Sequence, residues 1–254
     1  MNESDRRILL ATGNPHKLDE LQAIFDACGG KPGGGDGGGG RGVRLTSLQA
    51  LDVQIVEPVE DGDTFEANAI KKARHYASAT GMLCMADDSG LEVDALNGEP
   101  GVLSARYSGA TGERGEVDLA NNRRLLKRLG NTPPAERTAR FVCTIAMVAP
   151  ATLAEERWLA EVLQQLDPSE GDGRLLAMVR GTIEGRILLP SEAADRDEPE
   201  RGRGANGFGY DPLFLVPELG CTTAELPASQ KNRISHRGNA ARAMYEKLLG
   251  LGLV

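Results

Sequence analysis

Residues Met85–Gly109 read MADDSGLEVDALNGEPGVLSARYSG, and the interpretation of the whole chain starts from this stretch. An apolar run from Met82 to Ala86 gives way to two adjacent carboxylates, Asp87 and Asp88, which a hydroxyl and a glycine follow. Ligands of open α/β sheets bind beyond the carboxyl ends of strands. Two neighbouring carboxylates repel each other and need a cation or a proton. The pattern therefore predicts a strand that ends in a chemical site, with a capped polar turn as the alternative.

The composition is that of an ordinary globular protein. Of the 254 residues, 40% are hydrophobic and 26% are charged, so the chain can bury an adequate core as one large domain or two small ones. The 37 acidic and 29 basic residues give a net charge of -8, which argues against a nucleic-acid partner but permits a small polyanionic ligand in a local basic pocket. The sequence contains neither a membrane-length apolar run nor the order of a signal peptide. We therefore expect a cytoplasmic protein with no membrane partner.

The cysteines and histidines of the sequence do not indicate a metal site. The four cysteines are far apart and form no Cys-x-x-Cys pair, so neither a zinc site nor a disulfide framework is indicated. Cys84 and Cys143 lie inside apolar runs and are predicted core residues. Three histidines are too few to indicate a histidine-based metal cluster.

The N-terminal segment has the order strand, loop, helix. A short apolar strand at 7–11 leads into Thr12-Gly13-Asn14-Pro15-His16-Lys17, and helical spacing of apolar residues follows from Leu18 to Ala27. The loop offers a glycine, helix N-terminal amides and a lysine, a combination that suits phosphate. The alternative is that Thr12 or Asn14 only caps the helix.

The remaining elements follow from periodicity and from helix start and stop signals. Residues 29–42 are a glycine-rich low-complexity insertion that cannot pack a core. Asp63 is the predicted N-cap of a helix over 65–80, with Glu66 completing a capping box. Further predictions are strands at 43–46, 137–148, 175–187 and 213–216, of which the middle two pair as a hairpin. Helices are predicted at 116–129, at about 153–166 and, after residues 231–238, through about 249.

Two clusters near the C-terminus carry further chemistry. In Gly207-Phe208-Gly209-Tyr210-Asp211-Pro212, glycines flank two aromatic rings, as a planar ligand would require; an ordinary turn with its rings folded onto the core is the alternative. Lys231-Asn232-Arg233-Ile234-Ser235-His236-Arg237-Gly238 places several cations in one short stretch of an acidic protein. This concentration favours an anionic or carbonyl partner over a simple charged cap.

Taken together, five blocks of the chain resemble the inosine/xanthosine triphosphate pyrophosphatase family, whose members hydrolyse noncanonical purine nucleotides. They occur in the family's order and span nearly the whole chain. The departures are the insertion at 29–42, a segment within about 151–174 and the loop near 196–203. The matching blocks are TGNPHK at 12–17, EDGDTFEANAIKKA at 60–73, ADDSGLEVDALNGEPGVLSARYSG at 86–109, GFGYDP at 207–212 and KNRISHRG at 231–238.

The resemblance implies one domain over 1–254 with a mixed α/β fold: an elongated sheet flanked by helices, in two lobes with the active-site cleft between them. It also implies a homodimer and a Mg2+-dependent reaction. Inosine, deoxyinosine or xanthosine triphosphate is cleaved to the monophosphate and pyrophosphate, which removes these nucleotides from the pool.

Residue by residue, the resemblance places the triphosphate against Thr12, Gly13, Asn14, Pro15, His16 and Lys17, with charge from Lys72 and Lys231. Glu60 and Asp88 match the metal-binding carboxylates, and Asp88 also matches the proton acceptor. A carboxylate that holds a metal tightly is a weak base, so Asp87 is the alternative acceptor. Ser89 matches a substrate contact. The base pocket matches Phe208, Gly209, Tyr210, Asp211, His236 and Arg237.

Hydrogen-bonding patterns support a preference among bases. Hypoxanthine and xanthine present a 6-carbonyl and a protonated N1, which a donor from Arg237 or His236 and an acceptor from Asp211 would match. Adenine presents the reverse pattern, and a site built for such bonds rejects a mismatch by roughly 10^4 to 10^5. Two rivals remain: a Maf-like pyrophosphatase for other nucleotides, and a non-catalytic nucleotide-binding protein, against which the presence of both Glu60 and Asp88 argues.

Overall fold

The protein is described from a computed structural model of the chain. The structure describes residues 7–12, 15–29, 43–51, 53–153, 156–164 and 174–254. Of the predicted insertion at 29–42, only Gly29 belongs to the described residues. Residues 154–155 and 165–173 of the predicted insertion at about 151–174 also lie outside them.

The described part of the chain contains both strands and helices. The strands are β1 (Arg7–Leu10), β2 (Arg44–Ser47), β3 (Leu83–Val93), β4 (Pro100–Gly101), β5 (Thr138–Val148), β6 (Leu175–Ile187), β7 (Phe214–Val216) and β8 (Cys221–Thr222). The helices are α1 (Pro15–Gly29), α2 (Phe65–Thr80), α3 (Arg114–Leu129), α4 (Arg157–Leu163), α5 (Ala228–Ile234) and α6 (His236–Gly250). Across the described residues, no helix combines the length and apolar character needed to cross a bilayer.

The chain divides into two compact units. Unit 1 comprises residues 1–88, 144–181 and 238–254, and unit 2 comprises residues 89–143 and 182–237. The long strands β3, β5 and β6 each contribute residues to both units. The predicted mixed α/β fold is confirmed, whereas the single domain and the cleft between lobes stay predictions.

Unit 1 contains parallel strands joined through helices. Its strand order is β2-β1-β3-β5-β6, and β1 pairs in parallel with both β2 and β3. Parallel neighbours need a crossover connection, which α1 and α2 supply. The core packs Leu9 and Cys84 against Ala69, Ala73 and Tyr76 of α2. Small residues spaced four apart let α2 approach the sheet closely, as its predicted apolar face requires.

Unit 2 is mostly antiparallel. The β3 residues of this unit pair with β4, and β7 lies antiparallel between β6 and β8. Its separate core includes Leu125 and Leu129 of α3 and the rings of Phe141 and Phe214, whose centres are 4.5 Å apart. The apolar face predicted for the helix at 116–129 is therefore the face that α3 buries.

The long hairpin predicted from residues 137–148 and 175–187 is confirmed. Strands β5 and β6 are neighbours in the sheet. In unit 1 the amide of Ala149 donates to the carbonyl of Arg174 at 2.9 Å, and in unit 2 the amide of Ile187 donates to the carbonyl of Arg137 at 2.9 Å. The end of β5 thus lies beside the start of β6, and the start of β5 lies beside the end of β6, as an antiparallel pair requires.

Four local predictions were wrong or incomplete. The central strand does not end at Asp87, because β3 continues to Val93. Helix α1 begins at Pro15, a residue type that suits the first helical turn, so part of the predicted loop is helical. Thr64, rather than Asp63, caps α2. The prediction of one C-terminal helix is incomplete, because α5 precedes α6 and Ser235 between them has an extended backbone.

Candidate functional site

The paired carboxylates lie inside strand β3 of unit 1. Asp87 and Asp88 are buried, with 4% and 8% of their surface exposed. Both oxygens of Asp87 accept hydrogen bonds from Nζ of Lys17, at 2.9 and 2.8 Å. The cation from the first turn of α1 compensates this charge, which explains how an acidic residue can stand within a buried strand.

Asp88 is held by residues of α2 and of the preceding loop. Its Oδ1 accepts from Nζ of Lys72 at 3.1 Å, and its Oδ2 accepts from Nδ2 of Asn68 at 3.2 Å. The same ammonium group lies 3.1 Å from Oε1 of Glu60. Lys72 thus joins the two carboxylates that the sequence assigns to a metal site.

Burial and charge shift the pKa values of this cluster. Burial raises the pKa of Asp88; the charge of Lys72 opposes that shift, and the charge of Glu60 adds to it. For Lys72, burial acts to lower the pKa, but the negative charges of Asp88, Asp87 and Glu60 outweigh burial and leave it raised. The lysine therefore stays charged, and Asp88 is more easily protonated than an ordinary aspartate.

The residue types of this cluster suit a divalent cation. Glu60 and Asp88 approach one cationic position, which the ammonium group of Lys72 takes up. Mg2+ is held in proteins by one or two carboxylates together with water and substrate phosphates. Among the described residues, no three or more His, Cys, Asp or Glu side chains form a group that could hold a metal by themselves. The two carboxylates thus fit Mg2+, and the magnesium site stays a prediction.

Asn68 is a member of this cluster that the sequence analysis missed. It is 1% exposed, its Oδ1 accepts from the amide of Gly62 at 2.8 Å, and its Nδ2 donates to Asp88. Asn68 therefore ties the loop that carries Glu60 to the strand that carries Asp88. A polar residue on the otherwise apolar face of the predicted helix was the signal that could have revealed it.

The remaining predicted phosphate residues are described to different extents. Thr12 is buried after β1, and its amide donates to the carbonyl of Leu10 at 2.8 Å. Ser89 is half-buried next to Asp88 on β3. Gly13 and Asn14 lie outside the described residues. Pro15 and His16 belong to the first turn of α1, and their side chains lie outside the description.

A second cluster lies within unit 2 and contains the predicted base pocket. Both oxygens of Asp211 accept hydrogen bonds: Oδ1 from the hydroxyl of Thr223 at 2.8 Å, and Oδ2 from the amide of Phe208 at 2.9 Å and from Nζ of Lys231. Asp211 is also buried. The carboxylate therefore fastens the loop of Phe208 to α5, a use that competes with the predicted acceptance of a base proton.

The two aromatic residues of this loop have different environments. Phe208 is 46% exposed, so its ring can meet a ligand. Tyr210 is buried in the core of unit 2, and its hydroxyl donates to the carbonyl of Ser104 at 2.9 Å. Burial raises the pKa of Tyr210. The predicted stacking surface is thus available at Phe208, while Tyr210 follows the alternative of a ring folded onto the core.

His236 and Arg237 begin α6, within unit 2. The imidazole of His236 stacks on the ring of Phe141, with ring centres 5.0 Å apart and planes at 22°. Arg237 is buried. These donors of the predicted base pocket thus lie in the same unit as Phe208, while the predicted phosphate and metal residues Lys17, Glu60, Lys72 and Asp88 lie together in unit 1.

The fold and the site define a mixed α/β protein in which two buried aspartates of one strand pair with lysines from two helices. The family model described as Ham1 family matches residues 8–247, which is nearly the whole chain. The chain therefore belongs to the Ham1 family.

Individual relatives cover almost the full length. A dITP/XTP pyrophosphatase of Geobacter sulfurreducens is 41% identical over 243 residues, which are 95% of this chain and 96% of that protein. A dITP/XTP pyrophosphatase of Thioalkalivibrio sulfidiphilus is 40% identical over 244 residues, 96% of this chain and 99% of that protein. Among solved structures, a HAM1 protein from Coxiella burnetii is 32% identical and matches with a TM-score of 0.69 over 97% of this chain and 100% of that chain.

Proposed function

We propose that this protein hydrolyses inosine, deoxyinosine and xanthosine triphosphates to the monophosphate and pyrophosphate. The cluster of Lys17, Glu60, Lys72, Asp87 and Asp88 carries the proposal, because two lysines and three carboxylates match the needs of a metal-bound triphosphate. The names of the relatives support the substrate class, since dITP and XTP occur in them. A Maf-like activity on other nucleotides is not favoured by these relatives.

The charged residues have distinct roles in this proposal. Lys17 and Lys72 bind the phosphates, and their present partners Asp87 and Asp88 hold them in place before the substrate arrives. Glu60 and Asp88 would hold Mg2+, which when bound polarises the phosphoryl group and lowers the pKa of a water molecule. A carboxylate oxygen of Asp88 accepts the proton of the water that attacks the α-phosphorus, and the bond from that phosphorus to the bridging oxygen breaks so that pyrophosphate leaves. The hydrogen bond from Asn68 keeps that carboxylate in one orientation.

Base recognition falls to residues of unit 2. The exposed ring of Phe208 stacks on a purine irrespective of its identity. Arg237 and His236 donate to the 6-carbonyl, a group that adenine lacks. Asp211 holds the loop and Lys231 through hydrogen bonds to both of its oxygens, and its acceptance of the base proton stays a prediction. The homodimer remains an expectation from the family resemblance, and light scattering on the purified protein tests it. The cytoplasmic location remains an expectation from the sequence.

Pyrophosphate release tests the proposed activity. The purified protein is assayed with inosine, xanthosine, adenosine and guanosine triphosphates in Mg2+, with EDTA as a control. We expect strong release from the first two only, and none in EDTA. Guanine shares the 6-carbonyl, so its rejection has to depend on its 2-amino group. Equal release from all four would keep the phosphate chemistry and discard the roles of His236 and Arg237. Release from none, with nucleotide still bound, would support the non-catalytic alternative.

The proton acceptor is tested by substituting the two neighbouring aspartates separately. Asp88→Asn removes the acceptor and a charge, and we expect turnover to fall by at least about 10^2-fold while nucleotide binding persists. Asp61→Asn is the matched control, because Asp61 is an exposed loop carboxylate paired with Lys71 and should leave turnover unchanged. If Asp87→Asn abolishes turnover and Asp88→Asn does not, the base is Asp87.

A further inference from the structure

Three residues of α3 contact the loop that carries Phe208. Arg114, Asp118 and Asn122 are spaced four apart and therefore share one face of the helix. The guanidinium carbon of Arg114 lies 4.6 Å from the centre of the Phe208 ring. Oδ2 of Asp118 accepts from the amide of Gly209 at 2.9 Å, and Nδ2 of Asn122 donates to the carbonyl of Gly209 at 3.2 Å.

These contacts fix a short piece of backbone from both sides. Gly209 has a left-handed backbone with φ of 61°, and it has no side chain of its own to anchor it. Its amide and its carbonyl are both bound by α3, while the amide of Phe208 is bound by Asp211. Asn122 is 2% exposed and also donates to the carbonyl of Glu200, so this anchor is itself held in place.

The result is a fixed backbone that presents an exposed ring. Stacking free energy depends on where an aromatic ring points, and a preorganised ring loses less conformational entropy when a ligand binds. The carboxylate of Asp118 and the amide of Asn122 are not needed to build the core of unit 2, which α3 reaches through Leu125, Leu126 and Leu129. These two side chains instead bind Gly209 in the loop that carries Phe208.

We propose that the Arg114–Asp118–Asn122 face of α3 positions the Phe208 ring as the stacking platform for the base, with Asp118 as the positioning residue that sets base affinity. This inference rests on the proposed function. It predicts that substitution of Asp118 weakens binding of the base and leaves the phosphate chemistry intact. Because stacking does not depend on base identity, every purine triphosphate should be affected to the same extent.

The kinetic test compares Asp118→Ala, Asp118→Asn and Glu116→Ala. We expect Asp118→Ala to raise KM about tenfold for inosine and xanthosine triphosphates alike, with little change in kcat, as loss of a stacked base would. Asp118→Asn should restore KM, because its amide oxygen can accept the same hydrogen bond from Gly209. Glu116→Ala is the matched control: it removes an exposed carboxylate two residues away on the same helix.

Two competitors separate a positioning role from a merely structural one. Inosine monophosphate probes the base site, and inorganic tripolyphosphate probes the phosphate site. We expect Asp118→Ala to weaken inhibition by the first about tenfold and to leave inhibition by the second unchanged. Equal weakening of both, a fall in kcat with unchanged KM, or failure of Asp118→Asn to restore KM would overturn the proposal.

Failure of this inference can be told apart from failure of the proposed function. If the unmodified protein releases no pyrophosphate from any nucleotide, the proposed function is wrong. Calorimetric binding of inosine monophosphate to the unmodified protein and to Asp118→Ala then still tests the platform. Similar affinity for both proteins in that measurement would reject the role of Asp118.

Discussion

Lys71 and Lys72 are sequence neighbours on α2, and the structure gives them different environments. The ammonium of Lys72 lies between Glu60 and Asp88 with 13% of its side chain exposed, whereas Lys71 is 43% exposed and pairs with the exposed Asp61. Helical spacing alone does not distinguish the two lysines, and only the family resemblance assigned Lys72 to the triphosphate. Which lysine is buried depends on how α2 is rotated about its axis with respect to β3, because consecutive residues of a helix are separated by 100° of rotation.

This difference predicts that substituting Lys72 lowers the free energy of unfolding more than substituting Lys71. Lys72→Met leaves Asp88 buried without its cation, and we expect the free energy of unfolding to fall by about 2 kcal/mol, less than for a fully buried pair because Glu60 is partly exposed. Lys71→Met should change it by less than about 0.5 kcal/mol. Urea denaturation measures both. An equal loss in the two variants would contradict the assigned environments.

Glu192 provides a pH-dependent contribution away from the site. Hydrogen bonding to Arg186 and to the amide of Leu189 lowers its pKa to about 2 from an ordinary value of 4.5. A lowered folded-state pKa adds stability above pH 4.5, and this contribution is lost as the pH falls towards 2. Glu192→Gln should therefore destabilise the protein by up to about 1 kcal/mol at pH 7, because the partly exposed pair is screened by solvent, and by less at pH 3.

Urea denaturation of Glu192→Gln at both pH values measures this difference. Glu198→Gln is the control, because its pair with Arg201 is exposed on both sides. A loss of stability in Glu192→Gln that became larger as the pH fell would contradict the predicted direction of the pH dependence.

At the scale of elements, the start of α2 shows how a cap is chosen. The sequence offers Asp63 and Thr64 as adjacent candidates, and both residue types are good caps. In the structure the hydroxyl of Thr64 accepts from the amide of Ala67 at 3.1 Å. The helix begins at Phe65 because that ring is buried, and this burial places Thr64 at the capping position.

The cap can be tested by exchanging the two candidates. Thr64→Ala removes the acceptor, and we expect it to lower the free energy of unfolding by about 1 kcal/mol. Asp63→Ala alters an exposed residue outside the helix and should cost less than about 0.5 kcal/mol. The midpoint of thermal unfolding, followed by circular dichroism, reports both. A larger loss for Asp63→Ala would restore the prediction made from the sequence.

Strand β3 shows why the element boundary was harder to predict than the element. Polar residues usually mark the end of a buried strand, so Asp87 and Asp88 were expected to end it. Lysines from α1 and α2 compensate their charges, and the strand continues to Val93 with most of its residues buried. Compensation by residues distant in sequence leaves no signal within the strand itself.

At the scale of the molecule, the division of the chain into two compact units raises the question of whether they unfold together. Cys84 is fully buried in unit 1 and Cys143 is fully buried in unit 2. Burial raises the pKa of Cys84 to about 12, which suppresses the reactive thiolate in the folded state. The two thiols are therefore separate probes of the two units.

Pulsed thiol labelling across a urea gradient measures the unfolding of each unit. Because β3, β5 and β6 run from one unit into the other, we expect both cysteines to become reactive at the same urea concentration. Cys28 is exposed and should react without denaturant. Mass spectrometry of the labelled peptides distinguishes the thiols. Two well-separated midpoints would contradict a single cooperative transition.

By itself, the sequence determined the types of the longer elements, the apolar faces of α2 and α3, the hairpin of β5 and β6, and the family, because periodicity and ordered motifs are local properties. The two-residue strands β4 and β8 were not predicted. The tertiary structure alone decided that Asn68 supports Asp88, that Lys72 is buried while Lys71 is exposed, that Tyr210 joins the core, and that Asp118 holds Gly209. Each of these depends on a contact between residues distant along the chain. Such contacts follow from packing, which spacing within a segment does not encode.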